Sequence, residues 1–365
     1  MPALVAAQNR IDGVEAALVV TSARPGVAPE LPFSVFGREL RLAATKKGPG
    51  LFWPHKTNQV PFSFSLNLPR PFDRPDLVVF HCPYNYVHAV IADKLRAAGI
   101  PYVICPRGGM TRNAQRYRRW KKMLGNLLFF NELVGGAAAI NCLTEGEAAA
   151  SRAWKRPVFV VGNGVELPDA GWLATPGGSP GRRLVFIGRL HVHYKNLDTL
   201  LAACRLVRDE LAAAGTGVEL YGPDCQGSRR VLARQIASLG LINLVSLQGP
   251  VLDEAKSRVL AGADAFLHPS RSEGHPMAVL EALAHGLPCL LTPVTNVADE
   301  VAAAGAGWRV EPTAEGIAAG LREVLHADSE ALRRAGAAAR RLAEEKYRWE
   351  NVAVESLNAY RKWAA

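Results

Sequence analysis

The sequence predicts an α/β protein built from two doubly wound domains in tandem. Three observations carry that prediction. Short β-branched runs alternate with longer helical patterns, which implies βαβ units and parallel sheets. A segment rich in Pro and Gly interrupts the alternation at 167–183, and the alternation then restarts. The chain has 365 residues, enough for about two domains.

Residues 77–80 (Leu-Val-Val-Phe) read as a buried strand, 85–98 as a helix and 102–105 as the next strand. A basic helix over 116–134, a strand at 138–141, a helix from Glu145 and a strand at 158–161 complete a first domain, 1–166. Ahead of these, 5–8 reads as helix and 16–20 as strand. Pro168, Gly171, Pro176, Gly177, Gly178, Pro180 and Gly181 mark 167–183 as an interdomain linker. The second domain, 184–346, opens with a strand at 184–187. Asn196 is placed to cap a helix ending at Gly215. Strands recur at 217–221, 243–247, 265–268 and 288–292. In the last segment, 347–365, Trp349, Val352, Leu357 and Tyr360 recur at helical spacing. So apolar a helix must dock, and the first domain is its expected surface.

Composition excludes several classes. Apolar residues make up 49 % and charged residues 21 %, ordinary for a globular chain. No apolar run reaches the roughly 18 residues of a membrane span. No basic stretch precedes an apolar core at the start, so a secretory signal is not expected. Six cysteines, with no CxxC pair, argue against a disulfide scaffold or structural zinc and for a cytoplasmic chain. The net charge of +10 is concentrated at Arg107, Arg112, Arg116, Arg118, Arg119, Lys121 and Lys122. Phosphates, anionic lipid or nucleic acid could answer such a patch. Nucleic acid fits poorly, because nearby aromatics are only Tyr117 and Trp120 and no nucleic-acid motif is present. The apolar run 123–130 beside the patch suits a membrane interface over 112–130 as well as it suits a core helix with a solvated basic face.

Two loops carry chemistry. Residues 269–282 follow a strand directly, and Pro276 suits the first turn of the helix that comes next. A strand end feeding a helix start is where open α/β sheets bind ligands, and its free amides attract phosphate. Glu273 lies in this loop and Glu281 eight residues on, just over two helical turns away. Two carboxylates beside a phosphate site make sense as acceptors for sugar hydroxyls. The plainer reading is a surface Glu and a helix Glu paired with a base. The second loop holds Gly188 and Arg189, then Lys195 at another helix start. An Arg fork and a Lys point charge suit a diphosphate. His191 and His193 form an His-x-His pair with no identifiable third ligand, so a solvated loop is the better reading.

At these residues the sequence resembles glycosyltransferase family 4, retaining enzymes of GT-B fold with two Rossmann-like domains facing a cleft. The motifs are Glu273-x7-Glu281 and Gly188-Arg189-Leu190…Lys195-Asn196. Residues 161–165 (Val-Gly-Asn-Gly-Val) resemble the family's Pro-Asn-Gly-Val segment. Residues 105–110 (Cys-Pro-Arg-Gly-Gly-Met) resemble the Pro-Arg-Gly segment of members that build bacterial surface polysaccharides. The resemblance implies transfer of a sugar from a nucleotide-sugar to a glycan or lipid-linked saccharide, with retention. Arg189 and Lys195 would hold the departing diphosphate. Glu273 with Gly274, His275, Pro276 and Met277 would hold sugar hydroxyls and diphosphate, and Glu281 the ribose. His81 would reach donor sugar or acceptor, with Arg107 and Gly108 on the acceptor side. No cofactor or divalent metal is implied, and no Asp-x-Asp stands at a strand end.

The family opens with a strand and a Gly-Gly loop. A chain that opens on helix 5–8 and strand 16–20 is expected to lack both. That supports a second reading, a truncated or catalytically impaired protein that binds nucleotide or a partner without turnover. A nicotinamide oxidoreductase is the enzyme rival, but Gly162-Asn163-Gly164 lacks the third glycine of its fingerprint.

Overall fold

The computed structural model describes residues 1–18, 72–110, 115, 119–178, 181–271 and 273–364. The chain divides into two units, Met1–Gly162 with Trp349–Ala365, and Asn163–Arg348.

Among the described residues of the first unit, β1 (Val78–His81), β2 (Tyr102–Cys105), β3 (Ala139–Cys142) and β4 (Val158–Val160) pair in parallel in that order. β2 and β3 are buried throughout, as central parallel strands must be. Alternate residues face opposite layers. Ile104 and Ile140 pack with Leu95 and Leu133 from the helices on one side. Val103 and Ala139 pack with Tyr360 on the other. That second layer comes from the two ends of the chain. The Trp349–Tyr360 helix packs on the Pro2–Gln8 helix through Leu4, Ala7, Val352 and Ala353. Gln8 Nε2 donates to Ser356 Oγ at 2.9 Å, and Asn141 Nδ2 to the Tyr360 hydroxyl at 3.2 Å.

The early helix is therefore present, at Pro2–Gln8. Of the strand expected at 16–20, residues 16–18 join no strand and 19–20 lie outside the described residues. The basic helix runs as Arg119–Gly125, a π-helical turn Asn126–Phe130 and a last turn Asn131–Gly135. Its expected start at 116–118 lies outside the described residues.

The second unit holds six described parallel strands in the order β10-β9-β8-β5-β6-β7. They are β5 (Arg183–Ile187), β6 (Gly217–Tyr221), β7 (Val245–Gln248), β8 (Ala265–His268), β9 (Cys289–Leu291) and β10 (Gly307–Arg309). Leu184 and Phe186 enter one core, while Val185 and Ile187 enter the other. Both faces are thus covered, and each fully buried Leu contributes roughly 2 kcal/mol.

Three expectations need correction. The described residues of 167–183 are not a separate linker, because they belong to the second unit and pack within it. Ala174 N–H donates to His285 O at 2.7 Å, Gly177 N–H to Asp264 Oδ1 at 2.5 Å, and Leu167 packs against the core. The division instead falls at Gly162/Asn163, where Val165 N–H already donates to Tyr347 O at 2.7 Å. The 196–215 stretch is two helices, Leu197–Leu206 and Arg208–Ala213, broken at Val207 (φ −112°). Asn196 does not cap the first with its side chain. It ends the short Val192–Lys195 helix in the left-handed conformation. β10 escapes the sequence because a three-residue edge strand leaves almost no periodicity to read.

Candidate active site

β5 and β8 are neighbours at the middle of the second sheet. The chain leaves β5 toward β6 on one side and β8 toward β9 on the other. This is the reversal point at which open α/β sheets bind ligands beyond their strand ends. Both motif loops start there. Gly188 follows β5, and its N–H donates to Tyr221 O at 3.0 Å at the end of β6. Gly222 (φ +156°) passes so close that a Cβ on it would sit 1.7 Å from Gly188 O, so no side chain fits. Arg189 is exposed; its carbonyl accepts the His191 N–H at 2.7 Å, and its side chain makes no hydrogen bond or ion pair among the described residues. His191 Nδ1 accepts the Tyr194 N–H at 3.2 Å, capping the helix that carries Lys195. His191 is thus a cap residue, and no cluster of three or more His, Cys, Asp or Glu with metal-binding placement occurs among the described residues.

Beyond β8 the loop folds around one carboxylate oxygen. Glu273 Oε1 receives the Lys195 ammonium, Ser270 Oγ at 2.8 Å and His268 Nε2 at 3.0 Å. Its Oε2 has no hydrogen-bond partner among the described residues. Burial alone would raise the Glu273 pKa. The His268 hydrogen bond and the neighbouring positive charge outweigh it and hold the group at about 2. His268 is 1 % exposed and stacks against both Phe186 and Phe266, with ring centroids at 5.8 and 6.0 Å. Its Nδ1 is buried without a partner among the described residues, so the proton belongs on Nε2, aimed at Glu273. Burial lowers the His268 pKa and keeps the ring neutral.

Two further side chains fix these loops. Arg271 donates to Asp198 Oδ1 at 3.0 Å and to His193 O at 3.1 Å, tying the Glu273 loop to the Lys195 segment. Asn296, left-handed at φ +63°, donates from Nδ2 to Glu273 O at 2.8 Å and Gly274 O at 2.9 Å. Pro276 then occupies the cap position of the Met277–Ala284 helix, which no side chain caps.

The predicted site residues are brought together only in part. Lys195 and Glu273 meet. The His275 ring turns to the start of the unit, where its Nδ1 accepts the Asn163 N–H at 2.9 Å. Glu281 pairs with Lys256 at 2.7 Å on the Asp253–Ala261 helix, as the plainer reading of that residue had it. Sequence reasoning missed His268, Ser270, Arg271, Asn296 and Lys256. Ser270 and Arg271 sit inside the singled-out loop. The others carry no local signal, since only the fold brings them to it.

In the first unit, His81 ends β1 and its Nδ1 accepts from Arg107 Nε at 3.4 Å. Arg107 is left-handed at φ +48° and Gly108 at φ +79°. Buried Glu147 holds this turn, accepting from Gly108 N–H and, at 2.7 Å, from Leu143 N–H. Burial, then the Arg107 charge, lowers the His81 pKa to about 3, and burial lowers that of His88 to about 4. Both rings stay neutral in the folded chain where the unfolded chain would protonate near 6.5. Stability is therefore expected to be flat above pH 6.5 and to fall below it, by at most about 1.4 kcal/mol per pH unit for each ring. Urea midpoints at pH 7 and pH 5 check this, and equal midpoints would mean that both rings accept protons without unfolding.

Parallel α/β units in tandem, the second carrying a cationic loop and a carboxylate loop at its reversal point, define the plan of GT-B transferases. The chain belongs to glycosyltransferase family 4. The family profile described as Glycosyl transferases group 1 matches residues 181–327, and that of the Glycosyl transferase 4-like domain matches residues 3–164. An MMP alpha-(1->4)-mannosyltransferase of Mycolicibacterium hassiacum is 29 % identical over 185 residues, 49 % of this chain and 43 % of that one. A GDP-mannose:cellobiosyl-diphosphopolyprenol alpha-mannosyltransferase of Xanthomonas oryzae pv. oryzae is 26 % identical over 272 residues, 72 % of this chain and 68 % of the relative. The chain spans less than half the length of several curated relatives it matches. HepE of Anabaena, solved with UDP and glucose, shares the fold with a TM-score of 0.62 at 17 % identity, covering 79 % of this chain and 78 % of HepE.

Proposed function

We propose that this chain transfers a sugar from a nucleotide-sugar to a hydroxyl of a glycan or lipid-linked saccharide, with retention at the anomeric carbon. The observation that carries this is the pair of loops at the β5 and β8 ends, one presenting Arg189 and Lys195, the other Glu273. Arg189 and Lys195 hold the diphosphate and stabilise its charge as it leaves, the role a divalent metal plays elsewhere. The uncapped start of the Met277–Ala284 helix offers its amides to phosphate. Glu273 is ionised, and its open Oε2 accepts a hydroxyl of the donor sugar. Glu281 takes the ribose hydroxyls once Lys256 yields or shares it. His81, Arg107 and Gly108 serve the acceptor side, and 112–130 brings the chain to an anionic membrane where a lipid-linked acceptor lies. The relatives' names support this, since two are mannosyltransferases and one acts on a diphosphopolyprenol.

A thermal-shift panel of UDP, GDP and ADP with their sugar conjugates, run with and without EDTA, tests the reading. A ligand bound only by the folded chain raises its melting temperature as concentration passes Kd. One nucleotide class is expected to stabilise the chain with EDTA present, and Glu281→Ala to weaken that shift. No shift from any of them would refute donor binding, and a shift abolished by EDTA would refute metal independence.

A further inference from the structure

The 119–130 helical segment turns an apolar stripe outward over 120–128, while Phe130 at its end packs in the core. In the outward stripe, Trp120 is 72 % exposed, Met123 51 %, Leu124 49 %, Leu127 75 % and Leu128 51 %. Five of the thirteen large exposed apolar side chains among the described residues fall in these nine positions. The rest are scattered, which is ordinary, whereas a contiguous apolar patch marks an interaction surface. Polar groups lie on the inner side. Lys122 Nζ sits 4.8 Å over the Tyr84 ring, and Asn126 Nδ2 donates to Gln115 Oε1 at 3.2 Å. A core helix with a solvated basic face would have the opposite arrangement.

Charge identifies the occupant. From Arg107 to Asn131 the sequence holds seven Arg and Lys and no Asp or Glu. Of these, Arg119 and Lys121 are exposed beside the stripe. A symmetric contact with a second copy would set these cations against their own kind. An anionic bilayer answers both the charge and the apolar face. Twelve helical residues extend about 18 Å, short of the roughly 30 Å hydrocarbon core, and no helix among the described residues is long and apolar enough to cross a membrane.

We propose that this segment lies in the interface of an anionic bilayer, with Trp120, Leu124, Leu127 and Leu128 between the headgroups and Arg119 and Lys121 on lipid phosphates. The inference rests on the reading of a lipid-linked acceptor for its purpose, while docking itself requires no turnover.

Co-sedimentation of the full chain with vesicles of phosphatidylcholine, with or without phosphatidylglycerol, tests it. The chain is expected to bind the anionic vesicles at least about tenfold more tightly than the neutral ones. Arg119→Ala with Lys121→Ala is expected to weaken binding about fivefold per cation at low salt. Leu124→Ser, Leu127→Ser and Leu128→Ser together are expected to lower it at least about tenfold even then, with circular dichroism and melting unchanged because the three side chains are exposed. Should the triple variant misfold, Trp120→Gln alone is expected to reduce binding in the same direction. Failure of the intact chain to bind anionic vesicles overturns the proposal, as does full binding by a folded apolar variant. A lipid-free dimer that the triple variant converts to monomer overturns it in favour of a second copy. Nucleotide thermal shifts on the same samples keep the readings apart, since vesicle binding without a nucleotide shift would refute the transferase and leave the docking intact.

Discussion

Arg189→Ala is expected to lower turnover about a hundred- to a thousandfold while leaving the melting temperature unchanged. The size follows from removing one preorganised cation from a departing diphosphate, the scale seen when a single charge-stabilising donor is lost from an active site. The unchanged stability follows from geometry. Arg189 is exposed just beyond β5 and its side chain has no hydrogen-bond or ion-pair partner among the described residues, so truncating it removes no polar contact from the fold. Lys195 is the poorer first probe. At 15 % side-chain exposure it is paired with Glu273, and Lys195→Ala would strip a buried carboxylate of its cation as well as the donor of its clamp. Rates of nucleotide release from the donor identified by thermal shift, with calorimetry on the same protein, decide the matter. Undiminished turnover removes Arg189 from the reaction, and a parallel drop in melting temperature assigns it to the fold.

Much of the architecture is legible before any coordinates. Buried parallel strands are short apolar runs, and Val185 or Phe266 announces itself by β-branching or an aromatic ring between helical patterns. The Glu273 and Lys195 loops are legible because their positions at strand ends are local facts. What sequence does not carry is partnership across the sheet. Asn296 lies twenty-three residues from Glu273, and nothing near it says that its amide clamps that residue's carbonyl. Glu281 keeps its motif spacing yet pairs with Lys256 from another helix. The 167–183 segment misleads for a related reason. Its prolines and glycines prevent regular structure, but irregular chain still packs, as Gly177 does on Asp264. The apolar run at 123–130 is legible, but not that its stripe faces outward, since apolar periodicity marks a face without saying which way it points.

His268→Phe is expected to reduce turnover about ten- to a hundredfold with little change in affinity for the bare nucleotide. His268 touches no substrate in this reading and acts through Glu273, as a positioning residue. Its Nε2–H is one of three donors gathered on Oε1, which turns Oε2 outward to meet a hydroxyl. A hydrogen bond to a charged group is worth about 1.5–3 kcal/mol, which sets the size of the loss. Phe suits the slot because the ring already stacks against Phe186 and Phe266, so the fold keeps its packing and only the donor is lost. A second readout separates positioning from bulk. Without His268 the Glu273 pKa rises from its value of about 2 toward the ordinary carboxylate range. The carboxylate must be ionised to accept the hydroxyl, so the acid limb of the pH–rate profile should move to higher pH. His268→Gln, which returns an amide donor near the Nε2 position, should recover part of the rate and move the limb back. If Gln and Phe behave alike, or if Phe changes stability and leaves the acid limb where it was, His268 is only a packing residue and Glu273 is oriented by Lys195 and Ser270 alone.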